Sequence, residues 1–188
     1  MASKLISGLH ENPIIAAINN MAAMDEALQS SVNIIFLLTG DIFTLKETVE
    51  RIKTSGKMVF IHVDLMEGFS KDATGVKYII EEIHPDGIIS TRSYPIKMAK
   101  EKGLIAIQRL FLLDSLNLDS GIKAVKTCRP DAIEILPGVM PKITKLIAEE
   151  TKRPVITGGL IMDKSDVIEA LKAGAIGIST SKEDIWSL

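Results

Sequence analysis

The 188-residue sequence has little of what marks the more specialised protein classes. A single cysteine, Cys128, excludes an internal disulfide and cannot make a cysteine zinc site alone. It reads as a small buried or half-buried thiol. The three histidines, His10, His62 and His84, lack metal-ligand spacing, so no metal is predicted. No apolar run approaches the roughly 18 residues of a membrane span. The start, MASKLISGLHENP, has no continuous apolar stretch ahead of a cleavage site, which is expected of a cytoplasmic protein. Aromatic residues make up 4% of the chain, so platforms for stacking bases are scarce. Basic charge is also missing on average: the net charge is −2 and the pI near 6.0, where a nucleic-acid-binding domain commonly exceeds about 9. Linkers and low-complexity segments are absent.

What is present is a repeat. Apolar residues are 46% of the chain, enough for one domain over 1–188 with a sizeable core. Short β-type runs occur at 14–18, 33–38, 58–64, 87–90, 104–108, 132–136, 154–157 and 175–179. Helix-period segments lie between them, as at 44–55, 94–102, 141–151 and 163–173, with returns to strand marked by SGK, EKG and KAG. Strands alternating with helices imply parallel βαβ units, and eight such runs imply a compact (β/α)8 TIM-type barrel rather than a doubly wound open sheet. A helix at 2–9 precedes the first strand and is placed to cap the barrel bottom.

Functional residues on this fold sit where strands end. In MVFIHVD the alternation puts Val59, Ile61 and Val63 on a wholly apolar, helix-facing side, and Met58, Phe60, His62 and Asp64 on the other. By the same parity Ile133 and Ile135 face helices and Glu134 points inward. Leu104, Ala106 and Gln108 share one face, as do Ile88, Ser90 and Arg92. Inward charges need partners or a wet cavity, which is the mark of a ligand site.

The turns after the seventh and eighth runs, ITGGL and ISTS, stand where many barrels of this class hold phosphate. Gly158 and Gly159 let backbone N–H groups approach an anion. Thr180 and Ser181 add hydroxyls and open a short final helix whose N-terminus favours negative charge. A phosphate holder does not specify chemistry, however. His62, Asp64 and Glu134 suit acid–base work, a divalent metal or binding of hydroxyls equally well. A small phosphosugar or phosphodiester enzyme using Asp64 and Glu134 and a ligand sensor therefore both remain open on these residues alone.

The stretches FIHVDLMEGFSKDATG, DGIISTRS, AIQRLFLLDS, IEILPG, ITGGLI and ISTS followed by Trp186 resemble, in order, the glycerol-3-phosphate responsive antiterminator family from about residue 13 to 186. The resemblance implies a non-catalytic regulator that binds glycerol 3-phosphate and acts on the leader mRNA of glycerol-utilisation genes, letting RNA polymerase read past a terminator. It implies that Gly158, Gly159, Thr180 and Ser181 take the phosphate, and that His62, Asp64, Gln108 and Glu134 meet the ligand. Arg92 and Arg109 serve the phosphate or a mobile lid, or else stand in a surface or interstrand ion pair. Asp114 in FLLDS reads as an ordinary N-cap. Asn19, at the end of AAINN, departs from the basic residue expected there and would remove one charge contact.

The charge is unevenly distributed. From Arg92 to Arg153 there are 12 Lys and Arg against 7 Asp and Glu, leaving 10 against 17 elsewhere of the 22 and 24 in the whole chain. Lys97 with Lys100, Lys123 with Lys126, and Lys142 with Lys145 are each spaced to share a helix face on three consecutive helices, with Arg129 at an adjoining loop. A basic strip meeting RNA phosphates is the expectation; the bland alternative is a solvated helix surface. The loop DLMEGFSKDATG, with Gly68 and Gly75 as hinges, or a ligand-linked homodimer, would couple ligand to RNA.

Overall fold

The structure, a computed structural model, describes residues 2–188. Eight parallel strands close into a barrel in sequence order, β1 to β8, with β8 pairing back onto β1. They are β1 (Ile14–Ile18), β2 (Ile34–Leu37), β3 (Met58–His62), β4 (Gly87–Ser90), β5 (Ile105–Phe111), β6 (Ala132–Leu136), β7 (Val155–Gly158) and β8 (Gly177–Thr180). Helix α1 (Ala2–Glu11) precedes them, and α2 (Met24–Gln29), α3 (Leu45–Thr54), α4 (Ala73–Tyr78), α5 (Ser93–Glu101), α6 (Ser115–Cys128), α7 (Pro141–Thr151) and α8 (Lys164–Lys172) follow strands β1 to β7 in turn. All eight strand runs and the closed barrel agree with the sequence expectation.

The helices form for legible reasons. In α3, Leu45, Val49 and Ile52 recur at helical spacing and are buried, while charged residues take the outer face. Asp163 caps α8 through the N–H groups of Ser165 and Asp166, and Asp114 caps α6 through that of Asn117. Asp114 is thus the ordinary cap expected of it.

Two apolar layers result. Between barrel and helices pack Val59, Ile61, Val63, Ile88, Ala106 and Ile178 among others. The lumen is filled by Ile15, Ile34, Phe36, Met58, Phe60, Ile105, Ile107 and Ile156, with Phe36 and Phe60 meeting edge to face at 5.6 Å. Leu5 and Leu9 of α1 belong to that inner layer, so α1 plugs the lower end as expected. This packing fills the lower barrel and leaves the C-terminal mouth for a ligand.

Three differences from the sequence reading bear on the site. Strand β3 stops at His62, so Asp64 lies in the turn beyond it. Strand β5 continues to Phe111 and carries Arg109 inside the sheet. After β8 there is a single 3₁₀ turn, Glu183–Ile185, in place of the expected final helix. Trp186 is fully buried there and donates from Nε1 to the Thr180 carbonyl at 2.8 Å, which pins the chain before a helix can develop. Anion affinity at that turn must come from other groups.

Candidate ligand site at the barrel mouth

Arg109 and Glu134 are register partners on β5 and β6, both on the lumen face. Arg109 Nε donates to Glu134 Oε2 at 2.6 Å, and Ser179 Oγ on β8 donates to Glu134 Oε1 at 2.8 Å. Glu134 is 0% and Arg109 5% exposed. The carboxylate therefore has a cation on one oxygen and a hydroxyl on the other, which is the satisfaction a buried charge requires. Gly158 completes this layer by omission: a Cβ there would stand 3.0 Å from Ser179 Oγ and 3.1 Å from Glu134 Oε1.

Above the layer opens a cavity of about 290 Å³ between the ends of β1, β2, β7 and β8. Arg109, Gly159, Leu160, Ser179, Thr180, Ser181 and Lys182 line it, with Asn19 on the far wall. Gly159 and Leu160 both take left-handed backbone, φ +71° and +59°. Glycine adopts this freely and leucine does so at a cost, and strain of this kind gathers at ligand sites. Among the described residues neither N–H finds an acceptor, so both are available to an anion. Lys182 adds positive charge where the helix was expected. Its own N–H donates to Thr180 Oγ1 at 3.1 Å, so that hydroxyl holds the turn as well as bordering the cavity.

Asp64 does not project into the mouth as the strand parity suggested. Because β3 ends two residues earlier, its carboxylate turns sideways to the end of β4. It accepts from Ser90 Oγ at 2.9 Å, Thr91 N at 2.8 Å and Arg92 Nε at 2.8 Å. Burial pushes the Asp64 pKa up, but the Thr91, Arg92 and Ser90 hydrogen bonds outweigh it, and the net shift is down. Arg92 is committed to this ion pair and to the Lys71 carbonyl, 2.5 Å from its Nη1. It braces the loop after β3. Gly75 is no hinge in that loop: it sits in the first turn of α4, where a Cβ would lie 1.9 Å from the Ser70 carbonyl oxygen. Gly68 takes left-handed backbone at φ +76°.

Gln108 shares its face with Ala106 and so points to the helix side, away from the lumen, donating from Nε2 to the Thr91 carbonyl at 3.1 Å. His62 does face inward. It is 2% exposed, and its Nδ1 has no hydrogen-bond partner and stands 4.0 Å from Asp64 Oδ2. Burial first, and then the Arg109 charge, lower its pKa to about 4 against the opposing pull of Asp64. The ring is neutral near pH 7. As pH falls from 6.5 towards about 4 the unfolded chain takes up a proton that the folded chain refuses. Stability present above 6.5 is then lost, by on the order of 3 kcal/mol at the bottom of the window. Urea melts across that range should show the loss in the native chain, and His62→Gln should flatten it. An equal slope in both would place the titration elsewhere.

Of the residues that sequence reasoning expects at the site, Arg109, Gly159, Thr180 and Ser181 border the mouth cavity, while His62, Glu134 and Gly158 face the lumen beneath it. Sequence reasoning missed Ser179, Leu160 and Lys182, of which Ser179 was accessible by parity from the helix-facing Ile178. Among the described residues no group of three or more His, Cys, Asp or Glu side chains is placed to hold a metal. Asp64 is paired with Arg92 and Glu134 with Arg109. No described helix is long and apolar enough to cross a membrane.

The family model of the glycerol-3-phosphate responsive antiterminator matches residues 14–186. The uncharacterized protein YgcP of Escherichia coli is 39% identical over 184 residues, covering 98% of this chain and 96% of that protein. The crystal structure of the glycerol uptake operon antiterminator regulatory protein from Listeria monocytogenes is similar at 35% identity and a TM-score of 0.90, over 93% of this chain and 95% of that one. That of a glycerol uptake operon antiterminator-related protein from Thermotoga maritima is similar at 33% identity and a TM-score of 0.81, over 92% and 96%.

Proposed function

The chain belongs to the glycerol-3-phosphate responsive antiterminator family, a family of regulators rather than enzymes, and on that premise we propose that it senses glycerol 3-phosphate and acts on a leader mRNA. The observation that carries the ligand half is the mouth cavity, where two free backbone N–H groups, Lys182 and the Arg109 guanidinium surround a space sized for a small phosphate ester. The phosphate goes to the Gly159–Leu160 and Ser181–Lys182 turns. The two remaining hydroxyls go to Arg109 as donor and Ser179 Oγ as acceptor, both on the cavity wall, while Glu134 holds the two in place from beneath. His62 and Asp64 act behind this layer, and Arg92 braces the loop whose ordering, or a ligand-linked dimer contact, would report occupancy. Asn19 contributes an amide where a basic residue would have added charge. Calorimetric titration with glycerol 3-phosphate, against glycerol and inorganic phosphate, tests this reading: the ester alone should bind tightly, without turnover. No binding of the ester would overturn it.

For the RNA half, α5, α6 and α7 are successive neighbours around the barrel, and their lysines are on outer faces. Lys100 is held by Asp131 at 2.7 Å and Lys126 by Glu150 at 3.0 Å. Lys97, Lys123, Arg129, Lys142 and Lys145 have no ion pair among the described residues, which leaves them for phosphates. Each phosphate neutralised steepens the fall of affinity with salt. The Lys123→Glu, Lys126→Glu variant should bind the leader more weakly and with a slope of log K on log salt smaller by about 1–2. Unchanged affinity and slope would remove the strip.

A further inference from the structure

A second cavity, of about 280 Å³, lies outside the barrel wall between the ends of β4 and β5 and the first turns of α6. It is formed where GIISTRS and IQRLF, two of the stretches singled out in the sequence, come side by side, and of its lining residues Arg109 alone also borders the mouth cavity. Thr91, Ser93, Gln108, Phe111, Asn117 and Ser120 are on its walls. Gln108 is 1% exposed, and its amide oxygen has no hydrogen-bond partner. A buried acceptor left open costs on the order of 1–3 kcal/mol, so its retention points to a partner that arrives from outside. Phe111 stands at the rim with 52% of its surface exposed, in a chain with few aromatics, and Tyr94 nearby is 49% exposed.

These features together select a planar ligand with N–H donors on its edge. Side-chain amides match the hydrogen-bonding edge of a base, and an exposed aromatic ring offers its face. The volume falls just under the roughly 300–1,000 Å³ of pockets that enclose larger small molecules, leaving room for one ring system and not for a whole nucleotide. Charge argues for a base that arrives on a nucleic-acid strand. Lys97 lies one turn beyond Ser93 on α5 and Lys123 one turn beyond Ser120 on α6, both exposed and unpaired among the described residues. Phosphates on either side of an inserted base would meet them.

We propose that this cleft captures one unstacked base of the leader RNA, with Phe111 as the stacking face and Gln108 as the edge reader. The inference rests on the RNA-binding reading above and adds to it a place where sequence is sensed. It is tested by fluorescence anisotropy of homopolymer RNA oligonucleotides and of the leader, and by NMR of the Gln108 side-chain amide during titration with nucleoside monophosphates. Phe111→Ala should weaken RNA binding roughly 10-fold with an unchanged salt slope, and nucleoside monophosphates should shift the Gln108 amide signal. Phe111 is exposed, so the variant should fold; Asn117→Ala provides an independent second variant. Equal RNA affinity in both variants with a silent Gln108 amide would overturn the cleft and leave RNA binding standing. Absence of any RNA binding by the native chain would overturn the wider reading, and this one with it.

Discussion

Glu134→Ala should destabilise the protein by about 3–5 kcal/mol, the cost of leaving one partner of a buried ion pair unmatched. Arg109 cannot shed its proton, and at 5% exposure it has little water to replace the lost carboxylate. Ser179 loses its acceptor in the same step. For a domain of this size the change corresponds to a melting temperature lower by roughly 10 °C or more. Glu134→Gln should fall between, because an amide oxygen still accepts from Arg109 or Ser179 without supplying the charge. A surface control is the Lys126–Glu150 pair, half exposed on both sides, where Glu150→Ala should cost less than about 1 kcal/mol. Thermal melts of these variants under one buffer decide the matter. A Glu134→Ala melt within a few degrees of native would mean that Arg109 swings into the cavity and becomes solvated.

The same pair explains where sequence reasoning held and where it stopped. Parity inside one strand is local information, so the inward aspect of His62 and Glu134 and the outward aspect of Val59, Ile61 and Ile133 were all legible. The pairing of Arg109 with Glu134 was not, because register between neighbouring strands depends on the stagger of the closed barrel and leaves no period in one chain. Strand β5 runs on past Gln108 because Glu134 neutralises Arg109 within the sheet, a pairing that the run 104–108 does not reveal. Asp64 was misjudged for a related reason: alternation places a side chain only while the strand lasts, and β3 ends at His62. The missing last helix is a tertiary effect, since Lys182-Glu183-Asp184 has the polar look of a helix start but Trp186 is drawn into the core three residues on. The phosphate turns were legible because they depend on glycine and on position in the repeat. Leu160 was hidden because its left-handed backbone is imposed by its surroundings and not by its own preference.

Replacing both members of the buried pair, as Arg109→Met with Glu134→Leu, separates the two tasks that this layer performs. A buried ion pair exchanged for apolar side chains of similar volume is often neutral in stability or better, because neither charge has to leave water on folding. The double variant should therefore melt near the native temperature even though Glu134→Ala alone does not. Its mouth, however, would carry no guanidinium beside the cavity and no carboxylate to hold the Ser179 hydroxyl in place. Hydrogen bonds to charged groups contribute about 1.5–3 kcal/mol each, so affinity for glycerol 3-phosphate should fall roughly 10- to 100-fold even if only one such contact is lost. Inorganic phosphate, which needs only the turns at β7 and β8, should be affected far less than the ester. Retained stability with lost ester binding assigns the pair to ligand recognition. Retained stability with unchanged binding would make the layer structural and move the ligand wholly onto the turns. A double variant as unstable as Glu134→Ala would show that the Ser179 hydroxyl and the shape of the layer, and not its charge balance, hold the mouth together.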